Sequence, residues 1–349
     1  LEFRRVLFRS ALRQVVLRPG QQLVEPRAIV GRQGEKQAIA LSFRGGDFAR
    51  IAGVNHPSLG ADVRLFKLLP GGPLAGGAHL ARRQQARVAQ DFLQRLRPAK
   101  SIRPLSVHVE HETHQPQQAE WLKLIRRATE TIARGEFEKV VLARATDLQF
   151  TQRVNPVALM AASRALNLHC YHFCMVFDAS NAFLGSTPER LWRRRGTLLR
   201  TEALAGTVAN HQDDAKAQQL ADWLMKDDKN QRENMLVVED ICQRLQDDVR
   251  SLDVLPPQVV RLRKVQHLRR SIHGELTESD DAGCLQRLQP TAAVAGLPRQ
   301  AAREFIAKVE PFDREWYAGS AGYLSRDQSE FCVALRSARV HDAALRLYA

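Results

Sequence analysis

Cysteine is scarce in this chain, and so are aromatic side chains, long apolar runs and, near the start, lysine. The five cysteines among 349 residues, Cys170, Cys174, Cys242, Cys284 and Cys332, are an odd set without a CxxC pair. That excludes a disulfide-framed secreted scaffold and a zinc ribbon, and suits reduced thiols in a cytoplasmic protein. No run of about 18 apolar residues occurs, so no membrane-spanning helix is expected. Walker loops, GxGxxG turns, HExxH helices and GxSxG elbows are missing, which removes the commonest nucleotide, metalloprotease and serine-hydrolase readings. Aromatics make up 6% of the chain, few for a protein that stacks nucleic-acid bases.

What is present is an excess of positive charge, +14 at pH 7. Its location decides its meaning. Residues 1–100 hold 18 Lys and Arg, only three of them Lys, against 6 Asp and Glu; the remainder holds 34 against 32. The body of the chain is thus nearly neutral. A basic arm that binds nucleic acid is one reading of the N-terminal region, and DNA affinity falling steeply with salt would be its signature. The opening LEFRRVLFRS reads as a cloning scar, or else as an Arg-rich, acid-poor transit peptide. The expected division is an Arg-rich region over 1–100 and a catalytic domain over 101–349. A chain of this length buries a large core; nothing in it sets an oligomeric state.

Along the chain, Ala38–Phe43 suggests a strand, LLPGGPLAGGAHL a loop, and Ala81–Leu96 a thin helical stripe. Val107-His-Val-Glu-His-Glu-Thr-His114 carries His108, His111 and His114 with two carboxylates. It reads either as a metal-ligand cluster or, with no helical signal and a spacing that splits the histidines across a strand, as a polar connecting loop. From Gln118 the pattern sharpens. Trp121 to Ile132 forms an amphipathic helix ended near Gly135. Val140-Val-Leu-Ala reads as a buried strand, Ala158–Leu166 as a helix, and Tyr171–Asp178, Asn181–Gly185 and Leu198–Leu204 as strands. Asp213–Leu245 is helical, as one helix or two. Val259–Leu268 reads as one strand, Ala301–Ala307 as a helix, Gly319–Ser325 and Glu330–Val340 as a strand pair, and Leu345–Ala349 as a last strand with a bare edge. Irregular alternation with short links favours an α+β fold of largely antiparallel sheets.

The longest helical stretch, Asp227–Leu245, anchors the functional reading. Met235, Val238, Cys242 and Leu245 make its stripe, widened by Leu236 and Ile241, and the two aspartates at its start complement the helix dipole. Glu233 fits that stripe poorly. It is a solvated carboxylate in the first or second helical turn, or a ligand for a cation. Lys139, at the mouth of VVLA, is a snorkelling side chain or a partly desolvated base. Glu189, in the sharp turn Gly185-Ser-Thr-Pro-Glu-Arg-Leu191, is a turn glutamate paired to Arg190 or a functional acid. Glu202-Ala-Leu-Ala-Gly-Thr207 offers N–H groups beside a glycine, as an anion cradle or a plain strand-to-loop junction. His267 is structural or pocket-lining. Arg336, read within the strand Cys-Val-Ala-Leu-Arg-Ser, wants a carboxylate partner.

As an ordered set, FEKVVLARATDL, AFLGSTPERLWRRR, RTEALAGTVA, DDKNQRENMLVVEDICQRL, KVQHLRRSI, LQPTAAVAGLP, EPFDREWYAGSAGYLS and SEFCVALRSARV resemble the chorismate-utilising enzymes. The likeness runs from Trp121 to Ala349 and is strongest to the menaquinone-specific isochorismate synthases. The resemblance implies two packed, mostly antiparallel sheets with helices outside. It implies Lys139 as the base that activates water for attack at C2 of chorismate, and Glu189 as the acid that protonates the departing 4-hydroxyl. Glu233 would be a Mg²⁺ ligand. Gly206 and Thr207 would lie against the ring carboxylate, Arg336 and Tyr317 would bind the enolpyruvyl carboxylate, and His267 would line the pocket. Ala293, where amine-transferring relatives tend to carry a hydroxyl residue, points to water as nucleophile. Salicylate or anthranilate synthesis is the alternative within the same family. The family continues beyond the position of Ala349 with a Gly-rich turn and a helix bearing a second Mg²⁺ glutamate and a carboxylate-binding Lys. By that resemblance the 349-residue chain itself is expected to be inactive and poorly soluble.

Overall fold

The computed structural model describes residues 23–24, 41–43, 101–102, 105–325 and 327–349. In chain order it begins with β1 (Leu23–Val24), β2 (Leu41–Phe43), β3 (Ser101–Ile102), β4 (Val109–Gln115), α1 (Gln118–Ala133), β5 (Lys139–Val140), β6 (Ala145–Phe150) and α2 (Pro156–Leu166). Then come β7 (Tyr171–Val176), β8 (Asn181–Thr187), β9 (Arg190–Arg195), β10 (Leu198–Ala209), α3 (Asp214–Lys226) and α4 (Asp228–Leu245). β11 (Val249–Val254), β12 (Gln258–Arg261), β13 (Val265–Leu276), α5 (Asp281–Leu288), β14 (Gly296–Leu297) and α6 (Arg299–Val309) follow. The chain closes with β15 (Ser320–Leu324), β16 (Gln328–Val333), β17 (Ser337–His341) and β18 (Ala344–Tyr348).

Two antiparallel sheets carry the architecture. One has the order β11-β13-β10-β9-β16-β15-β2, with β12 also paired to β13; the other has the order β4-β6-β18-β17-β8-β7. One core joins them. Leu191, Trp192, Phe331 and Val333 of the larger sheet share a buried cluster with Phe173, Phe183 and Tyr348 of the smaller, and with Val237, Val238, Ile241 and Leu245 of α4. Trp192 stacks on Phe331 at 4.4 Å between centroids, a contact of about 1 kcal/mol beyond burial. A second cluster places Ala158 and Leu159 of α2 against Leu148, Leu184, Val340 and Leu345. The fold is therefore the α+β sandwich that the sequence pattern suggests.

Local chemistry sets the helix ends. Asn155 accepts the N–H groups of Val157 and Ala158, and Pro156 opens α2. Asp227 closes α3 and caps α4, accepting the Asn230 N–H at 3.0 Å. A cap of this type contributes about 1 kcal/mol, and here one residue separates two helices where a single 33-residue run was an open alternative.

Several sequence expectations need correction. Residues 109–115 form a strand, not a connecting loop: pairing to β6 satisfies the backbone, and at the sheet's edge the polar side chains stay in solvent. Only Lys139–Val140 of KVVLA is strand; residues 141–144 run irregularly toward β6. The single strand expected over Val259–Leu268 is a hairpin, β12 and β13, turning at residues 262–264 without a glycine. Glu330–Val340 divides at residues 334–336, so that β16 stays in one sheet and β17 joins the other. Leu345 to Tyr348 has no bare edge, because β18 sits between β6 and β17. On α4 the buried face runs through Asn234, Val237, Val238, Ile241 and Leu245, with Met235 and Cys242 only partly buried beside it. The loop and helix expected over residues 68–96, and residues 1–10, lie outside the described residues.

Candidate active site

The crossing at residues 334–336 and a bulge in β10 build the site between them. On β10 and β13, Leu204 faces Arg269 while Thr207 faces His267, so β10 carries one extra residue there. Gly206 absorbs the bulge at φ +85°, a conformation that costs an L side chain roughly 1–2 kcal/mol. A Cβ at Gly206 would stand 3.1 Å from the Asn230 Cβ and 3.2 Å from its carbonyl oxygen. The glycine thus lets the first turn of α4 lie directly against the bulge. Asn230 Oδ1 accepts the Thr207 N–H at 3.1 Å. One turn on, the fully buried Asn234 donates to the carbonyls of Ala203, Ala205 and Leu268, each at 3.1 Å, and accepts from Arg270 at 2.7 Å. These two asparagines fix α4, and with it Glu233, on the sheet.

A partly enclosed pocket forms where these elements meet, and Glu189, Gly206, Thr207, Glu233, His267, Ala293, Tyr317 and Arg336 all line it. Its few convergent charged and polar groups suit a small polar metabolite. Lys139 stands at its edge, with Nζ 3.6 Å from Glu233 Oε1.

Each side chain is held for a reason. Glu189 is only 3% exposed, so it is not a solvated turn residue. Nor is it the partner of Arg190, whose side chain reaches Glu202 and Glu330 instead. The Glu189 carbonyl accepts the Val333 N–H at 3.0 Å, and the next N–H, of Arg190, binds Glu202 Oε1 at 2.9 Å. Burial pushes the Glu202 carboxyl above its usual range, opposed by its bonds to Arg190. Glu233, by contrast, is 39% exposed at its side chain and sits at the rim.

Arg336 lies between β16 and β17, not within a strand, at φ +49°. A non-glycine residue there is strained by about 1 kcal/mol or more, and the turn aims a buried guanidinium at the pocket. Arg336 Nη2 donates to His267 Nε2 at 2.7 Å. A guanidinium only donates, so Nε2 is bare and the imidazole proton is on Nδ1. Nδ1–H then donates to Thr207 Oγ1 at 2.9 Å. That leaves the Thr207 hydroxyl hydrogen for an acceptor in the pocket. The Thr207 N–H is taken by Asn230, so Thr207 offers the pocket its hydroxyl and not its amide. Tyr317 stacks on Tyr348 at 5.0 Å and 5°, and Tyr348, not singled out in the sequence, also lines the pocket.

Sequence reasoning also missed Asn230 and Asn234. Their signal was present: two asparagines four apart, on a helical face otherwise apolar, imply backbone partners across the interface. Among the described residues no group of three or more His, Cys, Asp or Glu could hold a metal ion by itself. In the histidine-rich strand, His114 bonds Thr146 and Glu112. At the pocket, Glu233 offers an accessible carboxylate, a donor set that suits a hard cation completed by substrate oxygens and water. No described helix is long and apolar enough to cross a membrane.

Three comparisons bear on this geometry. A family model described as a chorismate binding enzyme matches residues 77–349. The chain is 56% identical to isochorismate synthase MenF of Escherichia coli over 344 residues, covering 91% of this chain and 80% of that protein. It is 44% identical to MenF of Haemophilus influenzae over 230 residues, 66% of this chain and 54% of that one. The solved structure of the menaquinone-specific isochorismate synthase MenF of Escherichia coli superposes with a TM-score of 0.71 at 65% identity. That superposition covers 76% of this chain and 62% of the other.

Proposed function

The chain belongs to the chorismate-binding enzyme family, and from that premise we propose that it is an isochorismate synthase serving menaquinone formation. Water adds at C2 of chorismate, both ring double bonds shift by one position, and the 4-hydroxyl leaves. The observation that carries this reading is the gathering of buried Glu189, Arg336 and Ala293 in one pocket, with Lys139 at its rim beside Glu233. Lys139 takes a proton from the attacking water, and Glu189 gives one to the departing hydroxyl, so that protons balance and water is released. For that, Glu189 must enter the cycle protonated.

Chorismate is a dianion, and the pocket answers both charges. Arg336 receives the enolpyruvyl carboxylate with Tyr317 beside it. The Thr207 hydroxyl, oriented through His267, donates to the ring carboxylate. Glu233 would hold Mg²⁺ at that same carboxylate. When bound, the ion supplies positive charge that binds and polarises the substrate. Ala293 leaves no hydroxyl to orient an amine, which favours water as nucleophile. Analysis of the products formed from chorismate and Mg²⁺ tests the proposal: isochorismate alone supports it, and salicylate with pyruvate overturns it.

A further inference from the structure

We propose that Arg314 and Glu310 are positioning residues that set the place of Lys139, an inference that rests on the reading of Lys139 as the base. The strand that carries Lys139 has two residues and, among the described residues, pairs only with Gly296 and Leu297. Beyond it the chain is irregular to residue 144. A ladder that short frays unless something else ties it down.

The tie is a buried fork. Arg314 Nη2 donates to the Val141 carbonyl at 2.7 Å, and Nη1 donates to the Val294 carbonyl at 2.9 Å. One guanidinium therefore spans the segment after Lys139 and the loop that holds Ala293. Glu310 fixes that fork, accepting from Nε at 2.7 Å and from Nη2 at 2.5 Å. The same carboxylate accepts the Ala143 N–H at 2.7 Å. The Arg314 guanidinium also lies over the Tyr317 ring, 5.8 Å from its centroid. Backbone bonds from Glu138 to Leu297 and from Val141 to Ala295 complete the clamp. At Gly296 the fit is so close that a Cβ would meet the Lys139 carbonyl oxygen at 2.1 Å. One ion pair thus joins the segment that carries the base, the loop that holds Ala293 and a pocket aromatic. Lysine has a single ammonium and spans no such set.

The test is Arg314→Lys in the intact protein. A base displaced by about 1 Å loses roughly 10²-fold in rate, so kcat should fall about 10- to 100-fold. The KM for chorismate should stay within about twofold, since Arg336 and Thr207 sit on other elements. In Arg314→Ala, added guanidinium ion should restore part of the turnover. Arg194→Lys is the control for general destabilisation, because Arg194 is buried and paired with Asp281 away from the pocket. If Arg314→Lys fails to fold, Glu310→Gln carries the same test, keeping an oxygen for Ala143 while loosening the fork. Wild-type kcat in Arg314→Lys, or an equal loss in Arg194→Lys at matched thermal stability, overturns the proposal. Lys139→Ala is assayed alongside. If it is inactive while Arg314→Lys is normal, only the positioning idea fails; if it is active, the reading of the base fails.

Discussion

Replacing Gly206 by alanine separates two costs that the structure places at one residue. The first is the backbone cost of an L side chain at φ +85°, about 1–2 kcal/mol. The second is collision: the new Cβ meets the Asn230 Cβ, carbonyl oxygen and Oδ1 at 3.1, 3.2 and 3.3 Å. Relief requires α4 to back away by a few tenths of an ångström, which weakens the Asn230–Thr207 bond, a loss of about 1 kcal/mol. Reduced freedom of the unfolded chain offsets roughly 0.5–1 kcal/mol. The net expectation is about 2 kcal/mol of destabilisation by urea unfolding. Because Thr207 and Glu233 move relative to one another, calorimetric affinity for chorismate should also fall, by about tenfold for each 1.4 kcal/mol lost. Gly135 supplies the internal control: it has φ +75° and nothing within 4 Å of a built Cβ. Gly135→Ala should show the backbone cost alone and leave affinity unchanged. If Gly206→Ala matches Gly135→Ala in both measurements, the close approach of α4 does not matter to the site.

Lys139→Ala should lower turnover about 10²–10⁴-fold while chorismate still binds by calorimetry; near-normal turnover removes it as base. Glu189→Gln should bind substrate but stop loss of the hydroxyl, and a wild-type rate would end its role as acid. Asn234→Leu strands three carbonyls and Arg270, and should cost about 2–4 kcal/mol in urea unfolding; a neutral result would mean the helix is held otherwise. His172, bonded to Ser186 at 2.9 Å, is held down at about 4 from 6.5 by burial and then by Arg164. Between those values the unfolded chain binds the extra proton, so stability falls as pH drops through that window and is flat above it. After allowance for its partial exposure, the loss is about 2 kcal/mol, and His172→Gln should flatten the acid limb of a stability-versus-pH curve.

The elements legible in the sequence were those whose local chemistry agrees with their environment. Asn155-Pro156 and Asp227 announce their helices through caps, and Tyr171–Val176 announces a strand through its aromatic and branched residues. The missed features were decided at long range. Nothing local in RLRKV marks a reversal, since residues 262–264 turn because both arms pair within one sheet. Ala334 and Leu335 continue the apolar run from Phe331 with no turn residue before Arg336, and only the demand of two sheets for two different strands breaks it. Polar β4 becomes a strand because β6 needs a neighbour. At the pocket, carboxylates and basic groups stood out as individual anomalies in apolar surroundings. The groups that orient them, Asn230, Asn234, Glu310 and Arg314, act on backbone amides and carbonyls far away in sequence, so no spacing rule exposes them.

The position of β18 carries a consequence for how the protein is made. Its neighbour β6 lies some two hundred positions earlier, and the Arg346–Asp147 pair joins residues 199 apart. At ribosomal speeds of about 5–20 residues per second, β6 waits roughly 10–40 s for the strand that belongs beside it. During that interval Leu148 and Phe150, both buried in the finished sheet, have β4 on one side of their strand but not β18 on the other. Nascent chains stalled within that window should therefore be captured by chaperones that hold extended apolar segments, and should let go once residues 344–348 have emerged.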